Sequence, residues 1–319
     1  MKAVFAALAL FMVLDSGQAH AQREPARIRI GYAAPTVDNV LIAIAQKARF
    51  FENHGLTAEL LGMRGGVQVL QGLMGNSLEF GENGAAETVT AVLSGMEITI
   101  IAGLIPRINY YLVVRPEISE PSDLAGKKIA VASLSGSVTM LTRLALQTLG
   151  VPPGRVVFLV AGPPQGRVLA VASGQMDATV VAPESLPAVR KAGLKLLKDL
   201  SELPIPVQLT VLSTTKKLIR EKRDLATGFL AAINDSITFY RDKEKETIDI
   251  IEGFTGVKDR QALKVSYDFH RKLFPQPPYP DREGIQTVIN QTVAENPNAK
   301  AASPEEFFDS SLLREVKSK

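Results

Sequence analysis

Short apolar runs alternate with amphipathic stripes along most of the chain, and glycines punctuate them. Arg27 to Gly31 alternates polar and apolar residues, the period-two signature of a strand. Beyond it, Val40, Leu41, Ile44, Ala45 and Ala48 recur at helical spacing. Thr36 or Asp38 is placed to cap that helix, and Gly55 to end it. Leu56 to Leu61 reads as the next strand. Gly65-Gly66 opens a helix striped by Val69, Leu70 and Leu73 and stopped at Gly75. Ser77 to Phe80 is predicted as a strand, Ala85 to Leu93 as a helix, and the β-branched run Ile98 to Ala102 as a strand. Strands alternating with helices imply an α/β fold, with a parallel sheet covered on both faces.

The pattern then repeats. Ile129 to Ala132 is a strand, Ser137 to Leu149 a helix ended by Gly150, and Val156 to Val160 a strand. Gly166 to Ala172 is a helix, Asp177 to Val181 a strand, and Ser185 to Lys191 a helix. Val69-Leu70 falls on Val168-Leu169, and Gly75 on Gly174, which reads as a duplicated lobe. Tyr110 to Arg115 and Pro206 to Ser213 are extended runs that join the copies as crossing strands. Residues 216–319 return to the first lobe as helices, among them Leu225 to Tyr240 and Glu244 to Phe254. Phe274 to Pro278 is a loop, and Ser303-Pro304 opens the last helix.

The first residues stand apart. Met1-Lys2 is followed by an apolar run from Ala3 to Leu14 and then by Ala19-His20-Ala21, the pattern of a Sec-type signal peptide over residues 1–21. A periplasmic location follows. Of the 319 residues, 46% are hydrophobic and 22% charged, enough to build a real core. The formal charge of +3 has no basic run behind it, and there is no Trp, which argues against nucleic-acid binding. The chain has no Cys, so disulfides, thiol nucleophiles and Cys-based metal sites are excluded.

In parallel α/β sheets, ligands gather beyond the C-terminal strand ends, and two such lobes enclose a cleft. Ala34 to Asn39 leaves the first strand of one lobe; Leu134 to Thr139 leaves that of the other. Ser135, Gly136, Ser137 and Thr139 combine hydroxyls, a close backbone approach and a helix start. Ser137 equally suits a simple N-cap. Glu87 and Glu184 stand in first helical turns, where a carboxylate complements the dipole or reads a ligand cation. Arg64 suits a ligand carboxylate or sulfonate and, as well, a solvated surface. Arg107 and Asn109 border the same region. These candidates carry both signs, so ligand charge stays open.

Catalytic constellations are poor. His54 sits at a helix end, where it complements the dipole, and His270 lies in a C-terminal helix without a second metal ligand at helical spacing. There is no G-x-S-x-G or phosphate-binding loop, and Asp177 lacks an acidic partner at a telling spacing. No catalytic residue, metal or cofactor is expected.

Several stretches together resemble the substrate-binding proteins of ABC importers of the sulfonate/nitrate/taurine type, which include thiamine-pyrimidine binders. They are Ile28 to Tyr32, Gly65 to Leu70, Leu78 to Gly81, Asp123 to Val131 and Ser173 to Ala178. The resemblance implies a type II periplasmic binding protein fold, with two lobes of mainly parallel sheets flanked by helices and joined by two crossing strands. Lobe 1 would span 27–112 and 208–319, and lobe 2 would span 113–207. It implies ligand contacts from Thr36, Asp38 and Asn39, from Gly84, Ala85 and Ala86, from Ser135, Gly136 and Ser137, and from Pro183 and Glu184. It also implies a monomer that hands a small molecule to an inner-membrane ABC permease. Sulfonate-type members often carry a Trp just before the Pro of the 183 loop; here Ala182 stands there, which counts against a sulfonate. Fungal relatives that make the thiamine pyrimidine use a Cys-rich motif that this chain lacks. The alternatives are a ligand-presenting partner of a membrane sensor and a periplasmic enzyme on the same fold.

Overall fold

The computed structural model describes residues 24–296 and 302–316, so the signal-peptide reading of residues 1–21 lies outside the described residues. The first half runs β1 (Ala26–Tyr32), α1 (Leu41–Lys47), α2 (Phe50–Asn53), β2 (Leu56–Gly62), α3 (Gly66–Met74), β3 (Phe80–Gly84), α4 (Ala85–Leu93) and β4 (Ile98–Arg107). The second runs β5 (Tyr111–Val114), β6 (Lys128–Val131), α5 (Ser137–Thr148), β7 (Val157–Val160), α6 (Pro164–Ala172), β8 (Ala178–Val181), α7 (Leu186–Lys191) and β9 (Lys195–Asp199). The chain then returns through β10 (Pro206–Thr215), α8 (Lys216–Glu221), α9 (Arg223–Asp242), α10 (Glu244–Thr255), α11 (Arg260–Arg271), α12 (Arg282–Glu295) and α13 (Ser311–Glu315).

Two five-stranded sheets result, ordered β2-β1-β3-β10-β4 and β7-β6-β8-β5-β9. The order is the same in both, position for position. Four strands of each run in one direction, three of them paired parallel as the β-α-β pattern predicts. The extended runs β10 and β5 insert antiparallel, so both sheets are mixed. A local device is duplicated too. Glu79 N–H donates to the Arg29 carbonyl (2.9 Å) while the Glu79 carboxylate accepts the Arg29 N–H (2.8 Å). Asp177 does the same with Lys128, at 2.8 Å both ways. Asp177 thus pins β8 to β6.

The core of the first half is aromatic on one face. Phe229 of α9 stacks on Phe80 of β3 with centroids 3.9 Å apart, and Phe51 lies parallel to it at 6.0 Å. On the same sheet, α12 crosses β10 at Gly284. A Cβ there would lie 2.6 Å from the Val207 carbonyl carbon. Gly284→Ala is therefore expected to destabilise by about 1–3 kcal/mol despite alanine's better helix propensity. Urea denaturation reads this directly, and an unchanged midpoint would contradict it.

Four elements differ from the sequence reading. The helix after β1 is a 3-10 turn (Val37–Asn39) followed by α1 and α2, broken at Arg49 with φ 61°. Neither Thr36 nor Asp38 caps it through its side chain, because Asp38 turns inward to His270. The third strand is Phe80–Gly84, not Ser77 to Phe80, since the Ser77 and Leu78 N–H groups wrap back onto the Gly72 carbonyl. Strand β9, which the sequence reading left unassigned, carries Lys at both its first and fourth positions. Ser303 caps only the 3-10 turn Pro304–Glu306, where its N–H donates to Glu306 at 2.9 Å; α13 starts later.

Candidate functional site

The loops leaving β1, β3, β6 and β8 meet where the two sheets face each other. Helices α4 and α5 approach with their N-termini. Gly84 and Gly136 are their N-caps, and Gly136 has φ 135°, a conformation side chains disfavour. Ala86 N–H donates to Ser137 Oγ at 3.0 Å. Ser137 then donates twice to Glu87 Oε2, from its N–H at 3.1 Å and its hydroxyl at 2.8 Å. Ser137 is thus the first helical residue, not the cap, and it bridges the two halves.

A second bridge lies across the same boundary. Glu184, buried in the 3-10 turn Pro183–Ser185, accepts the Val37 N–H at 3.4 Å and the Ser266 hydroxyl at 3.0 Å. Pro183 starts that turn and presets its backbone angle. Val37 opens the turn after β1 as Ser137 opens the helix after β6. The two bridges are pseudosymmetric: in each, a glutamate beyond the third strand of one half accepts a backbone N–H and a serine hydroxyl from the other side.

Behind the second bridge is a buried charge cluster. His270 is fully buried; its Nδ1 lies 2.8 Å from the Ser266 carbonyl and its Nε2 lies 2.7 Å from Asp38 Oδ1. A carbonyl only accepts, so Nδ1 carries a proton, and a neutral ring would face Asp38 with a bare Nε2. Asn109 Nδ2 lies 3.2 Å from the same Nε2, so it is the Asp38 carboxylate that favours the imidazolium. Burial opposes that charge, yet the Asp38 hydrogen bond and charge, with Glu184, hold the His270 pKa above its ordinary value. Asn109 Nδ2 also donates to Asp38, and the Tyr110 hydroxyl donates to it at 3.3 Å.

The remaining candidates are less central. Asn39 donates to the Ala34 carbonyl (2.8 Å) and Thr36 Oγ1 (3.2 Å), fixing the turn after β1. Thr139 Oγ1 donates to the Ser133 carbonyl at 2.6 Å and fixes the other turn. Gly84 and Ala85 bring the backbone of α4 to the boundary, and Ser135 is exposed at its edge. Arg64 is exposed before α3 and is not drawn into this cluster, and Arg107 is exposed at the end of β4. His54 stands at the C-cap of α2, as the sequence places it, and its Nε2 pairs with Asp235 at 2.7 Å.

Sequence reading passed over four contributors. His270 and Ser266 come from α11, more than two hundred positions from Asp38, and no local spacing links them. Arg167 is buried and donates to Thr179 Oγ1 (3.3 Å) and the Gly162 (3.1 Å) and Val180 (3.3 Å) carbonyls, fastening α6 to β8. Glu82 is fully buried with both carboxylate oxygens unpartnered. Burial and the Asp38 charge push its pKa well up. A cavity of about 280 Å³ opens beside Glu184, between Pro164–Val168 and Thr255–Asp259. A larger hollow of about 600 Å³ lies elsewhere, between α2, α9 and Gln276-Pro277. Among the described residues, no group of three His, Cys, Asp or Glu could hold a metal, and no helix is long and apolar enough to cross a membrane.

A pH dependence follows. Burial raises the pKa values of Glu82, Glu87 and Glu184, with the Ser137 hydrogen bonds offsetting part of the rise at Glu87. His270 is also raised. Each group holds its proton more tightly folded than unfolded. Its contribution is complete below the unfolded pKa and lost as pH rises through the folded one. Stability is therefore expected to increase from about pH 8 to about pH 5.5, by up to about 1.4 kcal/mol per pH unit for each group titrating. Thermal denaturation across that range checks it; a flat or falling Tm on acidification would contradict it.

Two sheets of one strand order, meeting through the loops beyond their strand ends, define the periplasmic binding protein fold. A Candida albicans protein described as having that generic fold superposes with TM-score 0.73 at 14% identity, covering 89% of this chain and 96% of that one. The chain belongs to the NMT1/THI5-like family, whose model matches residues 38–247. Similar solved structures include a Bordetella bronchiseptica RB50 protein (TM-score 0.80, 19% identity, 92% of this chain and 97% of that one). The alkanesulfonate-binding protein SsuA of Xanthomonas axonopodis pv. citri, bound to MOPS, is another (0.72, 18%, 92% and 98%). The periplasmic nitrate-binding protein NrtA of Synechocystis PCC 6803 is a third (0.73, 14%, 92% and 88%). A search of curated protein sequences found no match.

Proposed function

We propose that the chain is a periplasmic solute-binding protein that delivers a small molecule to an ABC permease. The carrying observation is the pair of pseudosymmetric bridges across the boundary between two sheets of identical order. Groups that bridge two halves only when these are together suit a protein that closes on its ligand by hinge motion. The binding residues are the loops that meet there, Thr36 to Asn39, Gly84 to Ala86, Ser135 to Thr139, and Pro183-Glu184. The lobes divide close to 27–112 and 208–319 against 113–207, with β5 wholly in lobe 2 and β10 wholly in lobe 1, and the hinge lies in the segments that precede them, 108–110 and 200–205. Cleavage after residue 21 releases a monomer to the periplasm, and no step of catalysis is assigned. The names of the alkanesulfonate- and nitrate-binding neighbours support transport as the role.

The test is a thermal-shift panel on residues 22–319 with nitrate, alkanesulfonates, amino acids, pyrimidines and small amines. A true solute at about 100 times its Kd stabilises the folded state by about 2.7 kcal/mol. The same compound should shrink the radius of gyration in small-angle scattering. Stabilisation without any change of shape would contradict closure.

A further inference from the structure

Three helix N-termini converge on one point of the cleft, and the chain fills that point itself. Helices α3, α4 and α5 begin at Gly66, Ala85 and Ser137. Converging N-termini, rich in free N–H groups and positive dipole ends, are a natural seat for an anion. The Glu87 carboxylate lies there. A Cβ on Gly136 would come within 2.8 Å of Glu87 Oε1, and one on Gly66 within 2.9 Å. Its Oε2 takes the N–H and hydroxyl of Ser137 from the opposite half. The pseudosymmetric position on the other side is taken by Glu184, on the Val37 N–H.

We infer that Glu87 and Glu184 set the charge class of the solute: Glu87 fills the seat at the helix ends and Glu184 places a second carboxylate at the matching position opposite, so the cleft rejects anions and takes a neutral or cationic, N–H-rich molecule such as an amine or amidine. An incoming anion would meet two carboxylates, with the Ala86, Ser137 and Val37 N–H groups already engaged. An N–H donor meets acceptors. Among the described residues, the buried side-chain atoms without a partner include both Glu82 oxygens, Asn83 Oδ1 and Asn109 Oδ1. Glu82 and Asn83 immediately precede Gly84, the N-cap of α4. Asn83 Oδ1 and Asn109 Oδ1 can only accept, and Glu82, its pKa pushed well up, keeps one proton to donate beside an oxygen that accepts, so acceptors outnumber donors among these free groups.

This rests on the solute-binding reading, and its experiment separates the two. Isothermal titration would compare wild type, Glu87→Gln and Glu87→Ala against methanesulfonate and nitrate, and against propylammonium and acetamidinium. The glutamine variant keeps the shape and removes the charge, so it guards against an alanine variant that fails to fold. Wild type is expected to take up an amine or amidine probe and neither anion. The variants should gain about tenfold or more in anion affinity and lose affinity for the cations. Wild type that binds methanesulfonate or nitrate as well as the variants do would overturn the inference while leaving solute binding intact. Variants that gain no anion affinity would overturn it too. If wild type bound neither these probes nor any compound of the wider panel, the solute-binding reading would fall with it.

Discussion

Replacing His270 with alanine is expected to cost about 3–5 kcal/mol of folding stability, the range for removing one partner of a buried charge pair. The reasoning is local. Asp38 is almost fully buried, and among the described residues His270 is the basic side chain bonded to it. Asn109 and Tyr110 donate to the same carboxylate, but neither brings a charge. Without the ring, Asp38 must either stay charged and uncompensated or take up a proton, and both alternatives disfavour the native state. Asp38→Asn should cost less, because a neutral amide needs no counter-charge and His270 can lose its proton. The paired change Asp38→Leu with His270→Leu should recover much of the loss, since a packed apolar pair avoids the desolvation penalty. Equilibrium urea denaturation of the three variants would read these differences. A His270→Ala loss below about 1 kcal/mol would show that the pair is not charged.

The largest functional effect is expected from Ser137→Leu. Ser137 is buried between α4 and α5, with Ala86 N–H on its hydroxyl and Glu87 beside it. A leucine cannot accept the one or donate to the other, and its extra atoms wedge the two helix ends apart. Overpacking of about 1–3 kcal/mol would fall on the closed arrangement alone. The apparent affinity falls in proportion to the fraction of molecules able to close, so it should drop about 10- to 100-fold. The Tm without solute should change little, because each half keeps its own sheet. Titration of wild type and variant with the compound that stabilises wild type would decide it; equal Kd values would contradict a role for this contact in closure.

The sequence carried the scaffold well because its strands and helices follow local rules. The Gly65-Gly66 opening of α3, the stripe of α5 and the β-branched start of β4 all stand where their periodicity places them. The duplicated order of the two sheets was visible in the alignment of Val69-Leu70 with Val168-Leu169. Failures occurred where polar residues are buried. Glu82 and Asn83 read as a loop, yet they lie in a central strand between β1 and β10. Asp38 read as a helix cap, yet its partner arrives from α11. Hydropathy assigns such residues to the surface; only tertiary contacts supply the groups that make their burial tolerable. The loops of the candidate site were legible for the same reason as the strands, since they follow directly from where strands end. Their partners on α11 were not, because no sequence spacing joins residues more than two hundred positions apart.

The central claim is that two halves close around a solute. The absence of native cysteine makes it directly measurable, since introduced thiols are the only ones to label. Met74 on α3 and Leu169 on α6 are exposed, one in each half, and can be changed to cysteine without touching either bridge. Spin labels on Met74→Cys, Leu169→Cys protein would report the distance between the halves by double electron–electron resonance. With each compound that raises Tm, the distribution should shift saturably toward a single narrow distance, and Ser137→Leu should resist the shift. One unchanging distribution, with and without a compound that demonstrably binds, would contradict closure.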